Sequence, residues 1–249
     1  MLLNSKVYKY SFIIPTLNEA KLLPGLLEQI CVDELKSKYK YEIILSDGGS
    51  SDSTISIAIK YVDKIKVHTE ENIQNIAAGR NAGARLAEGE ILVFINGDIR
   101  FDNFERFLLF LESEFSHEKY SAMACNVKIF KEDEIISDRI FHTIYNKYFQ
   151  LLNICGIGMG RGECQIVERE TFIKINGYND NLAAGEDFDL FRRISKISRI
   201  LYADKIAVYE SPRRYRKYGY LNVSLSWFLN SVSVYFKNKS LSKVWEEVR

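Results

Sequence analysis

Ile91-Leu-Val-Phe-Ile-Asn-Gly-Asp-Ile-Arg100 is the stretch on which the fold turns. Its five opening apolar residues, too few to span a membrane and rich in β-branched types, predict a strand buried on both faces. The run stops at Asn96-Gly97-Asp98, which puts a carboxylate at the strand's carboxyl end. In an open α/β sheet that edge is where ligands bind, because the loops leaving the strands converge there on a crevice. Asp98 is thus a candidate metal or ligand carboxylate. Asn, Gly and Asp are also turn formers, so the stretch alone leaves both readings standing; two earlier strands that end the same way favour the first.

Upstream, residues 10–14 form a short apolar strand broken by Pro15 and followed by Thr16-Leu17-Asn18-Glu19. Leu22, Leu23, Leu26, Leu27 and Ile30 then recur at helical spacing. Residues 41–45 predict a second strand, which ends in Ser46-Asp47-Gly48-Gly49-Ser50-Ser51-Asp52 before a helix carrying Ile55, Ala58 and Ile59. Residues 65–68 are a brief third strand, and residues 75–87 a helix of small residues that holds Arg80, Asn81 and Arg85. Strands alternating with helices at this spacing imply βαβ crossovers and a mainly parallel sheet over roughly the first 115 residues.

Past Ser116 the pattern changes. Residues 122–130 predict a longer strand, 139–152 an amphipathic helix, 154–162 a glycine-rich loop, 163–167 a strand and 170–175 a short helix. A loop over 177–185 runs into Glu186-Asp187-Phe188-Asp189, which opens a helix. A strand near 206–209, the basic segment Ser211-Pro-Arg-Arg-Tyr-Arg-Lys-Tyr-Gly219 and a helix over 221–236 follow. In that last helix Leu221, Leu225, Phe228, Val232 and Phe236 share one face, and Asn222, Ser226, Asn230 and Ser233 the other.

Lysine plus arginine (34) nearly balance aspartate plus glutamate (33), so the overall field gives no support to a nucleic-acid partner. Four cysteines, without a Cys-x-x-Cys pair or finger-like histidines, indicate neither a zinc module nor a disulfide framework. The first ten residues lack a signal-peptide core, and no uncharged apolar run reaches membrane-spanning length. A cytoplasmic protein without a transmembrane helix is expected.

Taken in order, Pro15-Thr-Leu-Asn-Glu19, Asp47-Gly-Gly-Ser-Ser-Asp52, Gly79-Arg-Asn-Ala-Gly83, Asn96-Gly-Asp98 and Gly185-Glu-Asp-Phe-Asp189 resemble the motifs of a family 2 glycosyltransferase with the GT-A fold. The resemblance covers about residues 10–215. It implies an α/β protein with a Rossmann-like, mainly parallel sheet flanked by helices and a C-terminal helical extension. Residues 1–115 would be the nucleotide-sugar-binding half, 116–219 the acceptor-binding half of the same domain, and 220–249 the amphipathic extension.

The resemblance also implies roles. A nucleotide diphosphate sugar offers a base, a ribose and two phosphates, and its leaving group must be neutralised. Glu19 and Asp47 would hold base and ribose, with Pro15 and Leu17 flanking the base. A glutamate at a helix start is also a dipole partner, and the Asp47 loop is also a strand-to-helix turn in which Ser50 or Ser51 caps the helix. Arg80 and Asn81 would contact phosphate or ribose, unless Arg80 is a solvated charge. Asn96, Gly97 and Asp98 would meet the diphosphate, and Asp98 would bind a divalent cation, Mg²⁺ or Mn²⁺. The family's Asp-x-Asp pattern has Asn96 for its first acid here, which weakens a cation site. Arg100 then becomes a candidate for neutralising the diphosphate directly.

Glu186-Asp187 resembles the family's acidic pair, which gives Asp187 the role of general base in an inverting transfer, with Glu186 raising its pKa; the acids also suit a helix N-terminus. Arg214 matches the arginine of the family's Gln-x-x-Arg-Trp motif and would help the leaving group, with Tyr215 in the aromatic place. Arg213, Arg216 and Lys217 are open to an anionic-lipid contact or to a solvated basic run. The helix over 221–236 suits core packing, a homodimer contact or a membrane surface. The expected partners are a UDP- or GDP-linked donor and a glycan hydroxyl or lipid phosphate acceptor, the latter at the inner membrane face. A nucleotidyltransferase and a non-catalytic carbohydrate or lipid-head binding module are the alternatives.

Overall fold

A computed structural model describes residues 8–69, 74–115 and 119–242. Residues 1–7, on which most of the signal-peptide reading rests, Ser116 and residues 243–249 of the extension lie outside the described residues. From the amino end come β1 (Tyr10–Thr16), α1 (Leu23–Ile30), α2 (Asp33–Tyr39), β2 (Tyr41–Asp47), α3 (Thr54–Ala58), β3 (Lys64–Val67), α4 (Ile76–Leu86), β4 (Ile91–Ile95), β5 (Ile99–Phe101) and α5 (Phe104–Glu114). The second half adds β6 (Ala122–Ile129), α6 (Ile136–Ile154), β7 (Cys164–Glu168), α7 (Arg169–Lys174), α8 (Glu186–Ser195), β8 (Ile200–Glu210), α9 (Arg213–Tyr218) and α10 (Tyr220–Lys237).

All eight strands join one sheet in the order β3-β2-β1-β4-β7-β6-β8-β5. Pairing is parallel from β3 to β4 and between β6 and β8, and antiparallel where β7 meets β4 and β6 and where β5 meets β8. β4 and β5 lie four strand positions apart, about 19 Å in a flat sheet. The chain from Ile95 to Ile99 reaches at most about 14 Å. The sheet therefore curls, and its crease carries Asn96, Gly97 and Asp98.

Side chains alternate across β1. Phe12 packs edge-to-face on Tyr41 and Phe104, with ring centroids 5.3 Å away in each case, while Ile13 enters the opposite core with Ile44, Phe94 and Tyr178. Strand β1 runs on through Pro15 to Thr16, pairing with β2 as far as Asp47, where the sequence reading ends it at Ile14. Its contact with β4 stops at Ile13, so the missing Pro15 N–H breaks no ladder on that side. Helix α4 lies against β1 at Gly83, where a Cβ would stand 2.5 Å from Ile13 Cγ2. Gly83→Ala is expected to destabilise the protein by about 1–3 kcal/mol through overpacking, outweighing the roughly 1 kcal/mol alanine gains in a helix. A urea titration that found the variant more stable would refute this packing account.

Helices α6 and α10 are oriented in the same way, against the usual rule for a surface helix. Each buries polar residues beside a few apolar ones, Phe149 on α6 and Val223 and Val234 on α10, and leaves most of its large apolar side chains outside. On α6, Asp138, His142 and Asn146 face inward, Asn146 accepting from Val127 N at 3.1 Å and donating to Val127 O at 2.9 Å. On α10, Asn230 and Ser233 are buried, not the Leu221-to-Phe236 face. Asn230 Oδ1 accepts from Leu241 N at 2.9 Å, and Ser233 Oγ donates to Lys239 O at 2.7 Å. The hydrogen-bonding needs of the returning chain at 239–242 thus outrank the apolar periodicity. Among the described residues no helix is long and apolar enough to cross a membrane.

Candidate active site

The crease opens into a cavity of about 1370 Å³ lined by the ends of β1 and β4, the start of α8, helix α9 and the facing sides of α6 and α10. Pro15, Leu17, Glu19, Asn96, Gly97, Asp98, Glu186, Asp187 and Arg214 all line it, as the sequence reading expects. Gly97 owes its place to space, since a Cβ there would come within 3.2 Å of Thr16 Cγ2.

Asp47 is fully buried and serves its own loop. Its Oδ1 accepts from Gly49 N at 3.0 Å and Ser50 N at 2.7 Å, and its Oδ2 from Thr16 Oγ1 at 3.0 Å and Ser50 Oγ at 2.6 Å. Its neighbours Ser46 and Gly48 reach the cavity in its stead. Neither Ser50 nor Ser51 caps α3; Asp52 accepts from Thr54 N at 2.9 Å.

Three residues expected at the donor are held by partners within the protein. Arg80 is 1% exposed and spans the site from beneath. Its Nη1 donates to Glu186 Oε1 at 2.8 Å, and its Nη2 to Gly162 O at 2.8 Å and Asn96 Oδ1 at 3.0 Å. Small residues around it in α4 let a guanidinium sit where a helix normally presents methyl groups. Asn81 faces the other way, donating to Tyr178 O at 2.9 Å and accepting from Tyr178 N at 3.0 Å. Arg100 leaves the crease altogether: it pairs with Glu132 and lies over the Phe130 ring at 4.3 Å.

The arginine at the crease is Arg213, read from sequence only as a lipid contact or solvated charge. Its Nη2 donates to Asp98 Oδ2 at 2.8 Å and to Glu19 Oε1 at 3.0 Å. Arg216, itself exposed, pairs with buried Asp138. Behind the crease a second buried arginine, Arg161, donates to Glu163 at 3.1 Å and Glu210 at 2.6 Å. Burial works against both acids. Arg161 outweighs it at Glu163, which stays below the usual carboxylate range, whereas burial pushes Glu210 up to about 8. Tyr215 OH donates to Glu210 Oε1 at 2.8 Å. The sequence signal for this group was available: two charges, Arg161 and Glu163, interleaved with glycines at the entry of a buried strand.

Asp187 stands at the first turn of α8, behind Gly185, whose φ of 78° turns the chain into the helix. Its Oδ2 accepts from Gly162 N at 3.1 Å and its Oδ1 from Phe188 N at 2.8 Å. Burial, and then the Glu186 charge, push its carboxyl up to about 7, with Arg80 pulling the other way. The site thus holds a carboxylate that gains or loses a proton near neutrality, facing a cleft lined by Arg80, Arg161, Arg213 and Arg214.

For a divalent cation the donors are few. Asp98 is the carboxylate expected to bind one, and it is taken by Arg213; Asn96 Oδ1 already accepts from Arg80. Among the described residues no three His, Cys, Asp or Glu gather to hold an ion. These residues do not fit an unaided cation site.

Residues 11–175 match the family model described as Glycosyl transferase family 2. Among curated proteins, a cholesterol galactosyltransferase of Borreliella burgdorferi is 37% identical over 94 residues, 36% of this chain and 25% of that protein. The glycosyltransferase AglE of Haloferax volcanii is 35% identical over 91 residues, 35% of this chain and 30% of that protein. The chain thus spans only a quarter to a third of these relatives. Among solved structures, a mannosyltransferase from Pyrobaculum calidifontis in complex with GDP-Man and Mn²⁺ superposes with a TM-score of 0.62 at 19% identity, over 83% of this chain and 58% of that one. Glucosyl-3-phosphoglycerate synthase from Mycobacterium tuberculosis, in complex with Mn²⁺, UDP and phosphoglyceric acid, gives 0.62 at 14% identity, over 96% and 80%. The fold is the one these transferases share.

Proposed function

The chain belongs to glycosyl transferase family 2, and from that premise we propose that it moves a sugar from a UDP- or GDP-linked donor to an acceptor hydroxyl with inversion at the anomeric carbon. The observation that carries the reading is Asp187, a carboxylate with its pKa near 7 that opens onto the same cleft as Arg213 and Arg214. A base so poised is strong enough to deprotonate a hydroxyl and is about half ionised at neutral pH.

In this mechanism the base of the nucleotide lies against Pro15 and Leu17, and its diphosphate reaches the crease. Asp98 and Glu19 hold Arg213 through one nitrogen, Nη2, and the guanidinium fork presents its other edge to phosphate oxygens. Arg214 meets the diphosphate from the next position. The acceptor oxygen attacks the anomeric carbon and its proton passes to Asp187. The bond from that carbon to the phosphate oxygen breaks, and its electron pair leaves with the diphosphate, where the arginines offset the growing charge. No step is assigned to a cation, because the donor set does not fit one. The same reading keeps the cytoplasmic setting expected from the sequence.

Calorimetric titration with UDP, GDP and their sugars, each with Mn²⁺, Mg²⁺ or chelator, tests the proposal. One nucleotide class is expected to bind, to stay bound in chelator, and to bind about 10–100-fold more weakly to Arg213→Ala, as for loss of a hydrogen bond to a charged group. Were no nucleotide to bind under any condition, the transferase reading would fall and a carbohydrate or lipid-head binding module would replace it.

A further inference from the structure

We infer that the acceptor is lipid-linked and that its aliphatic chain lies in the uncharged arm of the cleft, between α6 and α10. This rests on the transferase reading above and names the acceptor class that reading leaves open. The cleft has two unlike ends. Asp98, Asp187 and Arg213 line one; Ile144 and Tyr148 of α6 face Leu225 and Phe228 of α10 along the other.

The arm exists because both helices are turned against their own amphipathicity. A surface helix ordinarily buries its apolar stripe. Here buried Asn146, Asn230 and Ser233 are hydrogen-bonded inward, while Ile144 and Phe228 stay 61% and 58% exposed. Exposed apolar surface on this scale marks a binding face. The cavity, about 1370 Å³, also exceeds the roughly 300–1,000 Å³ of a small-ligand site.

An amphiphile with a hydroxyl-bearing head and one long aliphatic tail matches both ends at once, its head at Asp187 and its tail along the arm. A second copy of the chain could set the same apolar faces of α6 and α10 against each other, but that contact would use the arm alone and leave the charged end at Asp187 unmatched.

The test is calorimetric titration of the full chain with n-alkyl β-D-glucosides from hexyl to decyl, each below its critical micelle concentration. Affinity is expected to rise by roughly fourfold per added methylene, the gain for burying one such group. Leu225→Glu and Phe228→Glu, both at exposed positions, should flatten that dependence, with circular dichroism checking that they fold. Three results would overturn the inference: affinity independent of chain length in the wild type, binding to phosphatidylcholine vesicles but not to monomeric glucosides, or a dimer that Phe228→Glu dissociates and that binds no glucoside. UDP and GDP titrations of the same wild-type sample separate the two readings. Nucleotide binding without chain-length dependence removes the lipid acceptor alone, and absence of nucleotide binding removes the transferase reading and this inference with it.

Discussion

Asp187→Asn lowers kcat by about 10²–10⁴-fold, the range for losing a general base, with the KM for the donor changed far less. The amide keeps the size of the carboxylate and its Oδ1 can still accept from Phe188 N. It cannot accept from Gly162 N as well, so part of the loss comes from a tilted side chain. In the wild type the base is active when ionised. Its pKa is raised to about 7 by burial and by Glu186, so kcat/KM climbs about tenfold per pH unit below pH 7 and levels off above it. Stability moves the opposite way. The folded protein holds this proton more tightly than the unfolded chain, whose aspartates titrate near 3.9, so Asp187 lowers stability progressively between about pH 4 and pH 7. Steady-state kinetics on both proteins over pH 5–9 is the measurement. A variant within a few-fold of wild type would mean that the acceptor arrives already anionic, as a phosphate, and that Asp187 only positions it.

Arg80→Met should cost about 3–5 kcal/mol of stability, the range for removing one partner of a buried ion pair. For a chain of this length that is a fall in Tm of roughly 6–20 °C. The reason is Glu186, buried beside Asp187 and neutralised by Arg80 Nη1 at 2.8 Å. Methionine fills the volume and leaves the carboxylate without its counter-charge. Arg80 also lowers the Asp187 pKa, so its loss moves the rising limb of the pH–rate profile to higher pH. That shift distinguishes the proposed role from mere packing, which would change Tm and leave the limb in place. Calorimetry and the pH profile, taken on the same preparation, decide between them.

The parts of this molecule legible in its sequence are those where local chemistry and position agree. The apolar run of β4 ending in an acid placed Asp98 at the crease, and the acids opening α8 placed Asp187. The reading fell short where a side chain's partner lies far along the chain. Arg80, met in sequence on a helix of small residues, is bound by Glu186, 106 positions away, and Arg213 by Glu19, 194 positions away. No local pattern contains either pairing. Strand β5 is three residues long and exists only because β8 offers it an edge. The orientation of α6 and α10 was left open for a different reason. Periodicity reports which face of a helix is apolar, and that face is inward only when the molecule has core to set against it.

Strand β5 also orders events in time. It leaves the ribosome early, directly after β4, yet Ile99 pairs with Glu210, 111 residues downstream. At about 5–20 residues per second of synthesis, roughly 5–20 s pass before its partner exists. Until then the first four strands can form their parallel sheet, but the strand that bends Asp98 into place has no edge to join. The Asp98–Arg213 contact therefore forms late in the chain's biogenesis, and a polypeptide cut short before β8 keeps the first four strands without the crease they help to build.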